Sequence, residues 1–347
     1  MTKCRVLHVT ESLGGGVTTA ILEYAKNSPF CDHYLLATVR EEAEVNFSVA
    51  HPFVQIITLP RNPISAIKVM RSSFKKINPK YVHLHSSFAG AYGRLAFLPR
   101  SSVIYTPHCF SFDRHDISIV KRLFLYIIEQ LLSLGGECIA GVSPREVLQG
   151  KRMIGTFNSL YLPNYATIPN HLVRNNVVYD DTSMLTVTMV GRLSPQKDPT
   201  FFLEVWQEVK KKTDRVKFIW LGGGDESCEK ELIKEGINVS GWIDHESLIE
   251  RLSNTDVYLH TAKWEGNPMS LLEASALNLP IVARDIPSLR SLGITQLYQS
   301  PREIAEQIIE LLNIEKRKVS YLVTNELAKS FTQQKQESAL HALYISR

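Results

Sequence analysis

Short apolar runs alternate with longer segments of helical spacing along the chain. RVLHV (5–9), HYLLATV (33–39), VQIITL (54–59), YVHLH (81–85), SVIYT (102–106) and CIAGV (138–142) predict strands, and the segments at about 17–27, 63–77, 90–98 and 117–134 predict helices. After Leu162 the rhythm fails, and YLPNYATIPNHLVRNNVVYDDTS, rich in Asn, Asp and Pro, reads as a linker. It restarts with LTVTMVG (185–191), KFIWLGG (217–223), INVSG (237–241), DVYLHTA (256–262) and LPIVAR (279–284), each followed by a helical segment. Such alternation predicts an α/β protein of two Rossmann-like, doubly wound domains facing across a cleft. The expected bounds are 1–165 and 166–330, with a helix in 331–347 returning to the first domain.

Composition changes this picture little. A length of 347 residues suits two domains, and 44% hydrophobic with 21% charged residues excludes a disordered chain. No apolar run reaches the roughly 18 residues a spanning helix needs, and the start MTKCRVLHVTE lacks the regions of a signal peptide, so a cytoplasmic location is expected. Cys4, Cys31, Cys109, Cys138 and Cys228 are widely spaced without a C-x-x-C pair, which predicts reduced thiols, no disulfide framework and no zinc. A formal charge of +4 is mild, so nucleic acid is not an expected partner and an anion must meet a local patch.

The loops after the strands supply such patches. TESLGGGVTTAI opens a helix with glycines, where the backbone N–H groups of Gly15 and Gly16 can approach an anion. GRLSPQKD sets Arg192 and Lys197 around Ser194 and Pro195, two cations able to bracket a diphosphate. IWLGGGDES places Gly223 before another helix, and VSGWIDH places Trp242 where an indole can lie beside a nucleobase or pack in a core. In WEGNPMSLLE, Asn267 reads as an N-cap and Pro268 as the first residue of a helix to about Asn278. The N–H groups of Met269, Ser270 and Leu271 would then face an anion, with Glu265 and Gly266 on the loop before them. Glu273, inside the helix, can accept hydrogen bonds from two vicinal hydroxyls of a ribose, or be an ordinary surface acid.

GRLSPQKD, the E-x7-E pair of WEGNPMSLLE, the glycine loop and LPIVARDIPSLR together resemble family 4 of the retaining glycosyltransferases, of GT-B architecture. VHLHSSFAGAYGR and VIYTPHCFSF are similar to the surface-polysaccharide enzymes of that family. The resemblance implies a nucleotide-diphosphate sugar donor on the second domain, a UDP-sugar ahead of a GDP-sugar, and an acceptor on the first. It assigns Arg192 and Lys197 to the donor diphosphate, Glu273 to the ribose, and Glu265 and His108 to the transferred sugar. His85, Ser86 and Arg94 fall on the acceptor side, and Ser143 and Asn164 near the domain junction. The family often has Lys-Gly where this chain has Lys197-Asp198, which makes the loop less permissive.

A D-x-D pair is absent, Asp244-His245-Glu246 reading as a helix cap, so no metal or other cofactor is expected and protein cations must stabilise the leaving diphosphate. Arg61, Lys68, Arg71, Lys75, Lys76 and Lys80 come without an acid across a helix whose stripe is Ile64, Ile67, Met70, Phe74 and Ile77. That helix can meet an anionic membrane surface, which would suit a polyprenyl-diphosphate-linked or glycan acceptor of capsule or O-antigen assembly. The alternatives are a nucleotide-sugar epimerase, a catalytically silent binding protein of the same fold, and a nicotinamide oxidoreductase. Thr19 in place of a third fingerprint glycine disfavours the last.

Overall fold

A computed structural model describes residues 3–11, 13–38, 51–96, 102–156, 158–173 and 184–346. Residue 39 of the first half's second predicted strand, 97–98 of a predicted helix, and 174–183 of the linker lie outside these. The chain divides into one compact unit of Met1–Tyr165 with Thr332–Arg347 and another of Ala166–Phe331.

The first unit runs β1 (Cys4–Thr10), α1 (Gly15–Lys26), β2 (Cys31–Ala37), β3 (Phe53–Thr58), α2 (Pro63–Ile77), β4 (Tyr81–His85), α3 (Ser86–Leu95), β5 (Val103–Thr106), α4 (Ile119–Ser133), β6 (Cys138–Gly141), α5 (Pro144–Lys151) and β7 (Asn158–Tyr161). Its parallel sheet has the order β3-β2-β1-β4-β5-β6-β7. β1 and β4 are central, and every residue of β4 is buried, as a strand covered on both faces requires. β3 is an edge strand, and only Phe53 of its residues is buried.

The second unit runs β8 (Leu185–Val190), α6 (Pro199–Lys210), β9 (Val216–Leu221), α7 (Glu226–Lys234), β10 (Asn238–Val239), α8 (His245–Ser253), β11 (Val257–His260), α9 (Met269–Ala276), β12 (Ile281–Arg284), α10 (Pro287–Ser291), β13 (Leu297–Tyr298), α11 (Pro301–Glu310) and α12 (Ile314–Ala328). The order β10-β9-β8-β11-β12-β13 is again parallel. Its core sets Phe202 edge-on to both Phe218 and Trp220, with Leu259 and Ile304 in the same cluster.

In each sheet the strand order reverses once, between β1 and β4 and between β8 and β11, and open α/β sheets bind ligands at the carboxyl ends there. The loops after β1, β4, β8 and β11 therefore flank the switch points of the two sheets.

The last helix, α13 (Gln333–Tyr344), belongs to the first unit. Gln336 accepts from Asn27 Nδ2 at 2.7 Å and donates to the Pro163 carbonyl at 2.9 Å. The Tyr344 hydroxyl lies 2.7 Å from His83 Nδ1.

Two surface expectations change. On α2, Ile64 is exposed and falls outside the buried stripe, while Arg71 donates to the Ala96 carbonyl at 2.8 Å. The larger apolar surface is on α4, where Ile119, Val120, Leu123, Phe124 and Leu131 are all exposed.

Candidate active site

In the second unit the loops after β8, β9 and β10 are pinned by close backbone approach. Gly191 and Gly222 have φ of 152° and 137°, and a Cβ on Gly222 would overlap the Gly191 carbonyl. That carbonyl also accepts from Trp220 Nε1 at 2.8 Å. A side chain on Gly223 would reach the Trp242 ring at 2.9 Å, so the glycine lets the indole lie against the strand end. Trp242 is 63% exposed, which removes the core reading and leaves an open aromatic face.

The loop after β8 turns back on itself, with the N–H groups of Lys197 and Asp198 both donating to the Ser194 carbonyl at 3.1 Å. It is laced to the loop after β11. Lys263 N donates to the Gln196 carbonyl at 2.8 Å, Gln196 Nε2 to the Trp264 carbonyl at 3.1 Å, and Thr261 Oγ1 to the Lys197 carbonyl at 2.7 Å. Lys197 Nζ lies 2.5 Å from Glu265 Oε1, with both side chains largely buried, whereas Arg192 is exposed. The site thus holds one cation already matched to a carboxylate and one open to solvent.

Asp198 was the residue sequence reasoning undervalued. It has the left-handed φ of 55°, which explains why glycine suits this position, and Asp is among the few side chains that tolerate it. Its buried carboxylate caps α6 and meets Arg284 Nη1 at 2.6 Å and Lys263 Nζ at 3.2 Å. The Asp is therefore a clamp for the loop that carries Lys197.

The α9 expectation shifts by one residue: Pro268, which has no capping side chain, is the N-cap, and Asn267 lies buried before it. Leu271 N donates to the Pro268 carbonyl at 3.1 Å, which leaves only Met269 and Ser270 in the first turn facing outward for an anion. Glu273 is not a surface acid. It is buried, with Oε1 2.9 Å from Nε2 of the more exposed His245. Beneath the turn, the Tyr258 hydroxyl links Ser270 Oγ at 2.8 Å to His260 Nδ1 at 3.0 Å. Asp244 caps α8 through Ser247 N at 2.9 Å, as the sequence pattern predicts.

In the first unit Gly14 is the N-cap of α1, and exposed Gly15, with φ 61°, and Gly16 follow it. His85 and Arg94 do not face an acceptor. His85 is fully buried with its ring nitrogens 3.0 Å from His8 Nδ1 and 3.1 Å from His108 Nε2. Arg94 binds Glu129 at 2.7 Å and Glu137 at 3.1 Å, with its guanidinium 4.4 Å from the Tyr105 ring centroid. Ser86, with φ 68°, stays partly exposed at the end of β4. Ser143 caps α5, and Asn164 accepts from the Tyr24 hydroxyl at 2.6 Å.

His108 and Cys109 both adopt left-handed φ, 50° and 90°, a costly pair for non-glycine residues. Buried Glu146 holds them, accepting from Cys109 N at 2.5 Å and Val142 N at 2.9 Å. Burial pushes its carboxyl up to about 7 against the pull of those two N–H groups. Burial holds His108 down to about 3, so its ring is neutral.

The chain has the fold of the GT-B glycosyltransferases, two parallel-sheet Rossmann-like units. Within it, residues 180–326 match the family model described as glycosyl transferases group 1. An uncharacterised 41.2 kDa protein of the cps region of Klebsiella pneumoniae is 24% identical over 89% of both chains. The Escherichia coli UDP-Gal:alpha-D-GlcNAc-diphosphoundecaprenol alpha-1,3-galactosyltransferase is 28% identical over 66% of this chain and 65% of its own. Among solved structures, Anabaena HepE in complex with UDP and glucose superposes with a TM-score of 0.79 at 13% identity, covering 99% of this chain and 100% of that one.

Proposed function

We propose that the protein is a retaining, metal-independent family 4 hexosyltransferase that moves a sugar from a UDP-sugar to a polyprenyl-diphosphate-linked or glycan acceptor in capsule or O-antigen assembly. The observation that carries this reading is the Lys197–Glu265 pair at the switch point of the second sheet, beside exposed Arg192 and the start of α9. Relatives named for a cps region and for a diphosphoundecaprenol substrate support the acceptor class.

In this reading the donor diphosphate draws Lys197 from Glu265, and Arg192 and the N–H groups of Met269 and Ser270 complete its charge balance. Glu265, released, faces the sugar. Glu273, braced by His245, takes the ribose hydroxyls, and Trp242 lies beside the base. The bond from the anomeric carbon to the diphosphate breaks as the acceptor oxygen bonds to the same face. The acceptor proton passes to the leaving phosphate oxygen, whose developing charge the cations hold. Gly15, Gly16, Ser86 and His108 are the first unit's own candidates for substrate contact.

No helix among the described residues is long and apolar enough to cross a membrane. The exposed apolar row of α4, with Lys121 and Arg122 in it, supports peripheral attachment to an anionic bilayer on the cytoplasmic side. Flotation with anionic liposomes is expected to carry the protein, and equal recovery with neutral liposomes would remove this part of the reading.

The function is tested by thermal unfolding against UDP, GDP, ADP, CMP and NAD. UDP should raise the midpoint by the equivalent of about 2.7 kcal/mol at a hundredfold excess over Kd, and Arg192→Ala should lose the shift. A response to NAD alone would overturn it. Product anomer analysis tests retention, and turnover after EDTA treatment tests metal independence.

A further inference from the structure

Behind His108 the first unit buries a row of imidazoles that the proposed reaction leaves unused. His33 Nδ1 lies 3.0 Å from His8 Nε2, His8 Nδ1 3.0 Å from His85 Nε2, and His85 Nδ1 3.1 Å from His108 Nε2. His8 and His85 are fully buried and His33 nearly so. The Tyr24 ring stacks beside His85 and His108 at 6.1 and 6.4 Å between centroids.

The far end of the row fixes its direction. His33 Nε2 has the Ser28 carbonyl and the Ser28 Oγ each at 3.0 Å. The Ser28 hydroxyl gives its own proton to the Tyr24 carbonyl, and a carbonyl only accepts, so His33 Nε2 must be the donor. Burial holds His8, His33, His85 and His108 below the ordinary imidazole range, so each ring is neutral and carries one proton. With Nε2 of His33 protonated, its Nδ1 can only accept, and His8 Nε2 must donate to it. The same constraint passes from His8 to His85 and from His85 to His108. It ends at His108 Nδ1, which has no hydrogen-bond partner among the described residues.

We propose that His33, His8 and His85 form a one-way hydrogen-bond chain that fixes His108 as the Nε2–H tautomer and presents its Nδ1 as a lone-pair acceptor for a substrate hydroxyl. Only the identity of that hydroxyl, as one of a sugar substrate, rests on the transferase reading. His33, His8 and His85 are positioning residues, acting on substrate through His108. His8, His83 and His85 also bring ring nitrogens within 4.8 Å of one another, the spacing of a metal site. Both nitrogens of each ring are already hydrogen-bonded, with His83 held between Tyr344 and Thr106, so we assign hydrogen bonding to the cluster and not metal binding.

The test is a two-bond proton–nitrogen NMR correlation on the full chain labelled in its histidines, with His108 signals identified by their loss in His108→Gln. Wild type should show His33, His8, His85 and His108 all protonated at Nε2. His8→Gln, whose amide can donate to His33 and accept from His85, should preserve the pattern. His8→Leu cuts the row, and His108 should then show both tautomers, with kcat about tenfold lower, KM unchanged, and His8→Gln restoring kcat. A His108 protonated at Nδ1 in wild type, or an unaltered His108 spectrum in His8→Leu, would overturn the proposal. If His8→Leu does not fold, the wild-type and His8→Gln spectra still decide. If no form turns over a nucleotide sugar, the transferase reading fails while the spectra judge the chain by themselves.

Discussion

The two units share one topology and furnish it with opposite electrostatics. At the switch point of the first sheet the strand ends carry neutral rings, His8 and His83 side by side in register with His85 two residues on. At the switch point of the second they carry charge: Lys197 with Glu265, and Asp198 with Arg284 and Lys263. A doubly wound sheet supplies the place for a ligand, and the residues at the strand ends decide whether that place stores protons or charge. A neutral site suits hydroxyls, and a cationic one suits a diphosphate.

Acid should break the comparison most strongly. The folded state holds His8, His33, His83, His85 and His108 below their ordinary value of 6.5, so their contribution is full above that pH and is lost as pH falls through it. Once the unfolded chain has charged them, stability falls by up to about 7 kcal/mol per pH unit, about 1.4 from each ring. In the second unit His260 is the comparable buried ring. Hydrogen exchange followed from pH 7 to 4 should show the first unit opening before the second.

Arg94→Met comes next. It strands Glu129 and Glu137 in the interior, an expected loss of about 3–5 kcal/mol read by urea unfolding. On the proposed reading Lys197→Ala should lower kcat on the order of 10²- to 10³-fold, and by leaving the largely buried Glu265 carboxylate unpaired it should also lower the unfolding midpoint. Steady-state kinetics with a UDP-sugar would check it.

Glu146→Gln has a smaller effect. An amide places an NH2 group against one of two backbone donors, so about 1–3 kcal/mol of stability should go, together with the hold on His108 and Cys109. The pH dependence of the wild-type group runs against that of the histidines. With its carboxyl raised from 4.5 to about 7, its favourable contribution is full below about 4.5 and is lost as pH rises through about 7. The difference between wild-type and Glu146→Gln unfolding curves across this range should isolate it.

The parallel sheets were legible because strands such as YVHLH and LTVTMVG are short segments rich in Val and Leu set between helical ones. β7 and α5 were not, since NSLY is short and only half apolar, and PREVLQGK is largely polar on its outer face. Arg192, Lys197 and Glu265 stand out in the sequence because loops after strands are where charge has a chemical use, and Glu273 because it lies eight residues beyond Glu265 inside a helix. Arg94 misled for the same reason: a cation after a strand looks like a binding group until its buried carboxylates, far away in sequence, are seen. The histidine row left a partial signal in H-x-H of YVHLH, which puts two imidazoles on one face of a strand. His8 and His33 join it only through strand pairing, which no local spacing reveals.

The first unit is completed by α13, whose Gln336 and Tyr344 reach Asn27, Pro163 and His83. On the ribosome, residues 166–331 must be made before that helix exists. At about 5–20 residues per second the histidine-bearing sheet waits roughly ten to thirty seconds for its last partner. Through that interval His83 lacks the Tyr344 hydroxyl, so the unit whose sheet is made first is the one completed last.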